Sequence, residues 1–360
     1  MVIPTLGPGG AERVMTLLAA NLAARGHEVA LLTLGPTGAD FFAVDARVQR
    51  IGLGLMTDSP SMLHGLRANV QRVRALRRIV AGIKPHAVLS FMTSTNILTL
   101  LACAGLHTRV VVSERIDPHS HREATTWMAL RHITYRYADA VAVQTESAAR
   151  WFRKRLGRLP PVAVVPNPVA VVAGCCKSSA QVPKPFVLAA GRLVHQKGFD
   201  VLIRAFAVAA HDCPDLRLAI AGEGPQAGLL RELVTELKLN DRVMFLGIVS
   251  GLQALMHEAD VFVLSSRYEG FPNVLLEALA CGLPVIATDC PGGPREILHD
   301  GEFGLLVPCE DPIALGAALR RMATDARLRT ELSARAPRAT AKYTVDGVVA
   351  RWEQLLLAGS

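Results

Sequence analysis

The chain lacks the features that would place it at once in several large classes. In 360 residues it has no run of 18 apolar residues; the nearest, residues 96–106, is too short to cross a bilayer, so no integral membrane protein is expected. Residues 1–10 carry no basic segment ahead of a long apolar core, which is the pattern of a secretory signal. Cysteine is sparse: seven residues, at 103, 175, 176, 213, 281, 290 and 309. Their number is odd, none forms C-x-x-C, and no His–Cys group has zinc spacing. A reduced, cytoplasmic protein without a structural metal is the expectation, with Cys175-Cys176 read as a linker position rather than a redox pair. Aromatic residues make up 5% of the chain and are not interleaved with its basic residues, which argues against a nucleic-acid surface. Neither G-x-G-x-x-G with a later acidic residue nor a Gly-Lys-Ser/Thr P-loop occurs. There is no fixed-period repeat and no low-complexity tract.

What is present points to a layered α/β protein. Half of the chain (51%) is hydrophobic, enough for large cores. Short apolar runs alternate with amphipathic stretches of helix length throughout, the pattern of parallel sheets with crossover helices. Strands are expected over residues 1–4, 29–34, 87–91, 110–113, 140–143 and 162–165, and again over 186–190, 216–221, 243–246, 261–264 and 284–287. Between the two series, residues 166–185 contain Pro166-Asn167-Pro168, Gly174, paired serines, Pro183 and Pro185 and read as a linker. The expected organisation is therefore a domain over 1–165, a linker over 166–185, a second domain over 186–340, and a C-terminal helix over 341–360 packing back toward the first domain. Charge divides along the same line. Residues 1–165 hold 20 Lys+Arg against 10 Asp+Glu, a net +10, whereas 166–360 hold 19 against 21, a net −2. The first half is thus suited to an anionic partner.

Several turns fall where such sheets bind ligands, beyond the carboxyl ends of strands. Glu269-Gly270-Phe271-Pro272-Asn273-Val274-Leu275-Leu276-Glu277 follows the run 261–264 and reads as strand, tight loop and helix start, with Pro272 at the first helical position. Free N–H groups in a first helical turn suit a diphosphate, although an ordinary βα junction has the same outline. Gly191-Arg192, with Lys197-Gly198 closing the same loop, offers a bidentate guanidinium and a point charge for phosphates. Gly222-Glu223-Gly224-Pro225 is another glycine turn at a strand end, and Gly9-Gly10 opens the first helix. Ser113-Glu114-Arg115 ends a strand of the first half. Over residues 63–83, Arg67, Arg74 and Arg78 fall within about 20° of one line on a helix, with Leu66, Val70, Val73 and Val80 on a neighbouring face. That row is either a solvated face or a set of forks for phosphate oxygens.

Together Gly9-Gly10-Ala11-Glu12-Arg13, Gly191-Arg192 with Lys197-Gly198, Gly222-Glu223-Gly224-Pro225, and Glu269 with Glu277 resemble the family 4 retaining glycosyltransferases of the GT-B fold, along essentially the whole chain. Ser90-Phe91 with Thr95-Asn96, Ser113-Glu114, Tyr137-Ala138-Asp139-Ala140 and Pro166-Asn167-Pro168 resemble the bacterial branch that extends polyprenyl-diphosphate-linked oligosaccharides or exopolysaccharide repeat units. The resemblance implies two doubly wound Rossmann-like domains facing across a cleft. It implies transfer of a hexose or N-acetylhexosamine from a nucleotide sugar, UDP-linked, to a lipid-diphosphate-linked glycan, forming an α-glycosidic bond. In that pattern Glu269, Arg192 and Lys197 are catalytic. Donor binding falls to Gly9, Gly10, Gly191, Arg192, Lys197, Gly222, Gly224, Gly270, Phe271, Pro272, Asn273, Val274, Leu275 and Glu277, the last holding the ribose. Acceptor binding falls to Arg67, Arg74, Arg78, Glu114 and Arg115, the last standing where many relatives have His. No cofactor or metal is implied, because the two cations take the place of one at the diphosphate. A monomer held at the inner face of the membrane by its first domain, without nucleic acid, completes the expectation. The alternatives are a sugar-nucleotide epimerase of the same architecture and a non-catalytic nucleotide-sugar-binding protein.

Overall fold

The computed structural model describes all residues except 39, 57–61, 119–124, 156–159, 170–177 and 359–360. Cys175-Cys176, much of the expected linker and the start of a helical stretch that the sequence pattern places over about 121–137 therefore lie outside the described residues. The chain divides into two compact units, Met1–Pro168 with Val345–Ser360, and Val169–Thr344.

The first unit is built on seven parallel strands: β1 (Val2–Ile3), β2 (Ala30–Thr33), β3 (Gln49–Gly52), β4 (Ala87–Phe91), β5 (Arg109–Ser113), β6 (Ala140–Val143) and β7 (Val162–Val164). Their order is β3-β2-β1-β4-β5-β6-β7. The central strands are continuous apolar runs because helices cover both faces. On one face Val88, Val110, Val112, Val141 and Val143 join Ile97 and Phe152. On the other, Leu89, Phe91, Val111, Ala140 and Ala142 meet Met15 and Leu18 of the helix Gly10–Ala24. The C-terminal helix Val345–Leu357 completes this second face through Val348, Val349, Trp352 and Leu356, and Trp352 lies with its ring centroid 5.8 Å from that of Phe91.

The second unit repeats the plan with β8 (Phe186–Ala190), β9 (Arg217–Ala221), β10 (Val243–Gly247), β11 (Val261–Leu264), β12 (Val285–Thr288) and β13 (Leu305–Val307), all parallel, in the order β10-β9-β8-β11-β12-β13. The period-2 alternation of strands distributes each one between two cores. Val187 and Ala189 of β8 and Val261 and Val263 of β11 face one cluster, while Phe186, Leu188, Phe262 and Leu264 face the other.

Four details differ from the reading of the sequence. Strands β3 and β13 were not expected; both are sheet edges, β13 is short, and β3 is exposed and polar at its start. The sequence pattern alone places one helical stretch from residue 312 to about 335, but the structure has two helices, Pro312–Thr324 and Ala326–Thr340, because Asp325 leaves the helical conformation and its carboxylate accepts from the Leu328 N–H at 2.9 Å. Pro272 is the N-cap of the helix Asn273–Ala280, one position earlier than expected.

In both sheets the winding direction reverses between the first and fourth strands of the unit, β1 and β4 in one and β8 and β11 in the other. Loops leaving the carboxyl ends of these neighbours diverge and leave a crevice, the place where open α/β sheets bind ligands.

Because Trp352 is fully buried, Trp352→Ala removes a core indole from the first unit. The expected cost is about 3–5 kcal/mol in denaturant-induced unfolding, read on the transition of the first unit.

Candidate functional site

At the switch point of the second unit, the loop after β8 carries residues 191–198 and the loop after β11 carries residues 265–272. Lys197 leaves a short 3-10 turn, His195–Lys197, and its Nζ donates to Glu269 Oε1 at 2.7 Å. Glu269 is 4% exposed, and the same oxygen accepts from the Ser266 hydroxyl at 2.5 Å. The carboxylate is thereby oriented and paired, as a charged group removed from water must be.

The two loops are laced together. Arg267 N–H donates to Gln196 O (2.8 Å), Gln196 Nε2 to Tyr268 O (2.9 Å) and Ser265 Oγ to Lys197 O (2.9 Å). The Arg267 guanidinium donates to His195 O and, in a fork, to both oxygens of Asp200 at 2.8 and 2.7 Å, and it also meets Glu310. That fork holds the Asp200 carboxyl below its ordinary range. Gly198 is the hinge of the lacing. Its φ is 61°, and a Cβ there would stand 2.2 Å from Ser265 O. The floor is as close. A Cβ on Gly222 would stand 2.0 Å from Gly191 O, and one on Gly224 2.4 Å from Leu193 O, so these glycines let backbones meet behind the site.

Above Glu269, the helix Asn273–Ala280 begins without a side-chain cap. The N–H groups of Gly270, Phe271 and Val274 bond to no acceptor among the described residues, while Asn273 and Leu275 N–H close local turns on Phe271 O and Pro272 O. Phe271 is buried with its ring edge-on to Tyr343 at 5.7 Å, which anchors the loop. Glu277, one turn into the helix, is 7% exposed. Arg192 is exposed and makes no ion pair among the described residues. The structure thus gathers Gly191, Arg192, Lys197, Gly222, Gly224, Glu269–Leu275 and Glu277 around one switch point. The arrangement offers unbonded N–H donors next to a buried, paired carboxylate and, on the loop that supplies its partner, a free guanidinium, a combination fit to neutralise phosphate oxygens next to a polar reacting centre.

In the first unit, Gly9 caps the helix Gly10–Ala24, and the Glu12 carboxylate folds back so closely that a Cβ on Gly9 would stand 2.1 Å from it. Glu114 is buried and committed internally: it accepts from Thr93 Oγ1 at 2.9 Å and from the Tyr135 hydroxyl, with Arg131 Nη1 at 3.6 Å. Burial and the neighbouring Glu114 push the Tyr135 phenol well up, so it stays a donor. Asn96 ties this group to β4 and β5 through Ser90 Oγ, Ser113 O and Tyr135 Oη. Glu114 therefore holds a polar core together, and its carboxylate is not open to a ligand as the motif alone would have it. Arg115, next along, is 7% exposed, lies 3.9 Å over the Phe91 ring, and donates to Asn167 Oδ1 at 2.7 Å, yet its Nε has no partner. Burial lowers it to about 9, with Glu12 opposing, so it remains a cation near neutrality.

Arg67, Arg74 and Arg78 are exposed on the helix Met62–Ile83 and make no ion pair among the described residues. That helix buries Leu76 and Val80, whereas Leu66 (63%) and Val70 (41%), on the face neighbouring the arginines, are exposed. It packs on the helix Thr93–Cys103, which packs in turn on Thr125–Thr134, where Leu130 and Ile133 are exposed, followed by exposed Tyr137.

Ser266, Arg267, Gln196 and Asp200 were not among the expected site residues. Their partners are separated by up to some seventy positions, and no local spacing announces them. Among the described residues no helix is long and apolar enough to cross a membrane.

The model for glycosyltransferase family 4 matches residues 8–172, and that for group 1 glycosyl transferases matches residues 177–339. The chain is 29% identical over 357 residues to a Campylobacter jejuni α-1,4-N-acetyl-D-galactosaminyltransferase whose name gives a diphospho-undecaprenol-linked glycan as its acceptor, covering 99% of this chain and 97% of that protein. Among solved structures it is similar to a sucrose-phosphate synthase of Thermosynechococcus elongatus (TM-score 0.83, 22% identity, 100% and 99% covered). It is likewise similar to Anabaena HepE in complex with UDP and glucose (TM-score 0.78, 20% identity, 99% of each chain). Two parallel sheets with reversed winding, the family models that follow one another along the chain and these GT-B neighbours agree: the protein is a glycosyltransferase and belongs to family 4.

Proposed function

We propose that the protein moves a hexose or N-acetylhexosamine from a UDP-linked sugar to a lipid-diphosphate-linked glycan, with retention, forming an α-glycosidic bond. The observation that carries the donor half is the Lys197–Glu269 pair set among unbonded N–H groups and the free Arg192. In this reading the first turn of the helix Asn273–Ala280 and Arg192 receive the diphosphate, Glu277 holds the ribose hydroxyls, and Glu269 faces the sugar. As the glycosidic C–O bond breaks, negative charge grows on the leaving diphosphate, and Arg192 and Lys197 stabilise it, so no metal is needed. The second carboxylate of retaining glycosidases has no counterpart in this scheme. The diphosphate leaves from the face that the acceptor hydroxyl attacks, and it takes the acceptor's proton through an oxocarbenium-like state.

The acceptor half rests on the name of the Campylobacter relative and on the free row Arg67, Arg74 and Arg78. Planar guanidiniums suit the lipid diphosphate, and exposed Leu66, Val70, Leu130, Ile133 and Tyr137 among the basic residues of the first unit suit an anionic bilayer surface. Arg115, with its unpartnered Nε, is the residue of that motif left to meet an acceptor hydroxyl, and Asn167 and the Phe91 ring position it. An epimerase on this fold would need no acceptor, and nothing in the arginine row would serve it.

Glu269→Gln keeps the shape of the side chain and removes its charge. A fall in kcat on the order of a hundredfold or more is expected, with UDP affinity retained by calorimetry; wild-type turnover would refute the site. Replacing Arg67, Arg74 and Arg78 together by Ala is expected to raise acceptor KM and to abolish binding to phosphatidylglycerol vesicles at low salt, leaving UDP affinity intact. Unchanged acceptor KM and vesicle binding contradict the assignment.

A further inference from the structure

Two cysteines that the proposed chemistry does not use lie against the loop that carries its carboxylate. β12 and β13 pair in parallel with Thr288 opposite Val307. Continuing that register two residues past each strand sets Cys290 opposite Cys309. Neighbouring strands lie about 4.8 Å apart, inside the roughly 4.4–6.8 Å that a disulfide spans between Cα atoms. Both thiols are free, Cys290 buried at 4% exposure and Cys309 half-buried.

The surroundings of the pair are those of Glu269. Cys309 Sγ is 3.8 Å from the carbonyl oxygen of Ser266, the residue whose hydroxyl bonds Glu269, and Thr288 Oγ1 donates to that same carbonyl at 2.5 Å. On the other side, Pro291 O accepts the Glu269 N–H at 2.9 Å. A Cβ on Gly292, whose φ is 100°, would stand 1.8 Å from Glu269 O, so the segment 290–292 is pressed on the Glu269 backbone. The thiols also differ in readiness. Contact with Cys290 lowers Cys309, whereas contact with Cys309 and burial push Cys290 up, so Cys309 is the first to become a thiolate and is the more accessible.

We propose that Cys290 and Cys309 form a dithiol modification site that closes to an intrachain disulfide under peroxide, and that closing it silences the adjacent carboxylate. The Cys309 thiolate attacks one oxygen of hydrogen peroxide, giving a sulfenic acid and releasing the other oxygen as water. The Cys290 sulfur then attacks the Cys309 sulfur, the hydroxyl leaves as a second water, and the Cys290 proton goes with it. Two thiols and one peroxide thus yield one disulfide and two waters, and a thiol reductant reverses the change. Drawing the sulfurs from nonbonded contact to bonding distance pulls Cys309 off the Ser266 carbonyl and Cys290 off its seat beside Pro291, shifting Glu269 relative to Lys197. The effect on catalysis rests on the donor-site reading above, whereas the formation of the bond does not.

The test uses the full chain, treated with hydrogen peroxide, alkylated and digested. The expected result is a Cys290–Cys309 linked peptide two hydrogens lighter than its reduced parts, and a loss of sugar transfer that dithiothreitol restores. Cys309→Val is expected to keep the turnover of the reduced wild type and to resist peroxide. Recovery of both thiols as alkylated peptides after peroxide overturns the proposal, as does a linked protein of undiminished turnover, or equal inactivation of Cys309→Val through other cysteines. If the reduced protein transfers no sugar, the donor-site reading fails, and peptide mapping alone still decides whether the pair closes.

Discussion

Lys197 and Glu269 meet at 2.7 Å although 72 positions separate them, because β8 and β11 lie side by side where the winding of the second sheet reverses. The rest of the candidate site depends on this contact. With the Lys197 side chain 19% exposed and that of Glu269 6%, each charge is largely removed from water and needs the other. Deleting one partner of a buried pair leaves an uncompensated charge costing about 3–5 kcal/mol, so the pair also ties the two loops together. Gly198, which alone lets the Lys197 turn approach Ser265 O, and the Arg267–Asp200 fork fix where the ammonium points. Phe271 against Tyr343 fixes the other loop.

A paired carboxylate and ammonium beside unbonded N–H groups form a site whose charges are arranged before a ligand arrives. Such preorganisation is worth most in a water-poor crevice, where nothing has to reorient as charge develops. The same closeness has a consequence for redox chemistry. Segment 290–292 supports Glu269 from behind, so a bond made at Cys290 acts on the carboxylate without touching substrate.

Much of this architecture was legible from the sequence, for identifiable reasons. Central strands such as β6 and β11 are unbroken apolar runs because both faces are covered, and they stand out at once. The edge strands β3 and β13 do not, because one side of each needs no partner and Gln49 and Arg50 are tolerated there. Glycines 191, 198, 222 and 224, with Lys197 and Glu269, were visible as punctuation at strand ends. The residues that brace them were not: Arg267, Gln196 and Asp200 act through contacts between distant loops, which leave no local period, and Ser266 braces Glu269 from three positions away within an irregular loop. Glu114 shows the converse. Its motif drew attention to a carboxylate that the fold commits to Thr93 and Tyr135, while the adjacent Arg115 keeps an unsatisfied nitrogen. Of the apolar face beside the arginine row, only part is buried: Val80 is covered while Leu66 and Val70 are exposed, because a helix that packs on one neighbour buries a narrower stripe than its apolar face offers.

In the proposed function, the switch-point cluster of the second unit runs retaining sugar transfer onto a lipid-diphosphate-linked glycan. The direct measurement is to incubate the protein with UDP-, GDP- and ADP-sugars and a polyprenyl-diphosphate-linked glycan, and to assign the product anomer by NMR. A new α-linkage formed from an α-linked UDP-sugar is the predicted result. A β-linked product, or turnover of the nucleotide sugar that is indifferent to the acceptor, would contradict it.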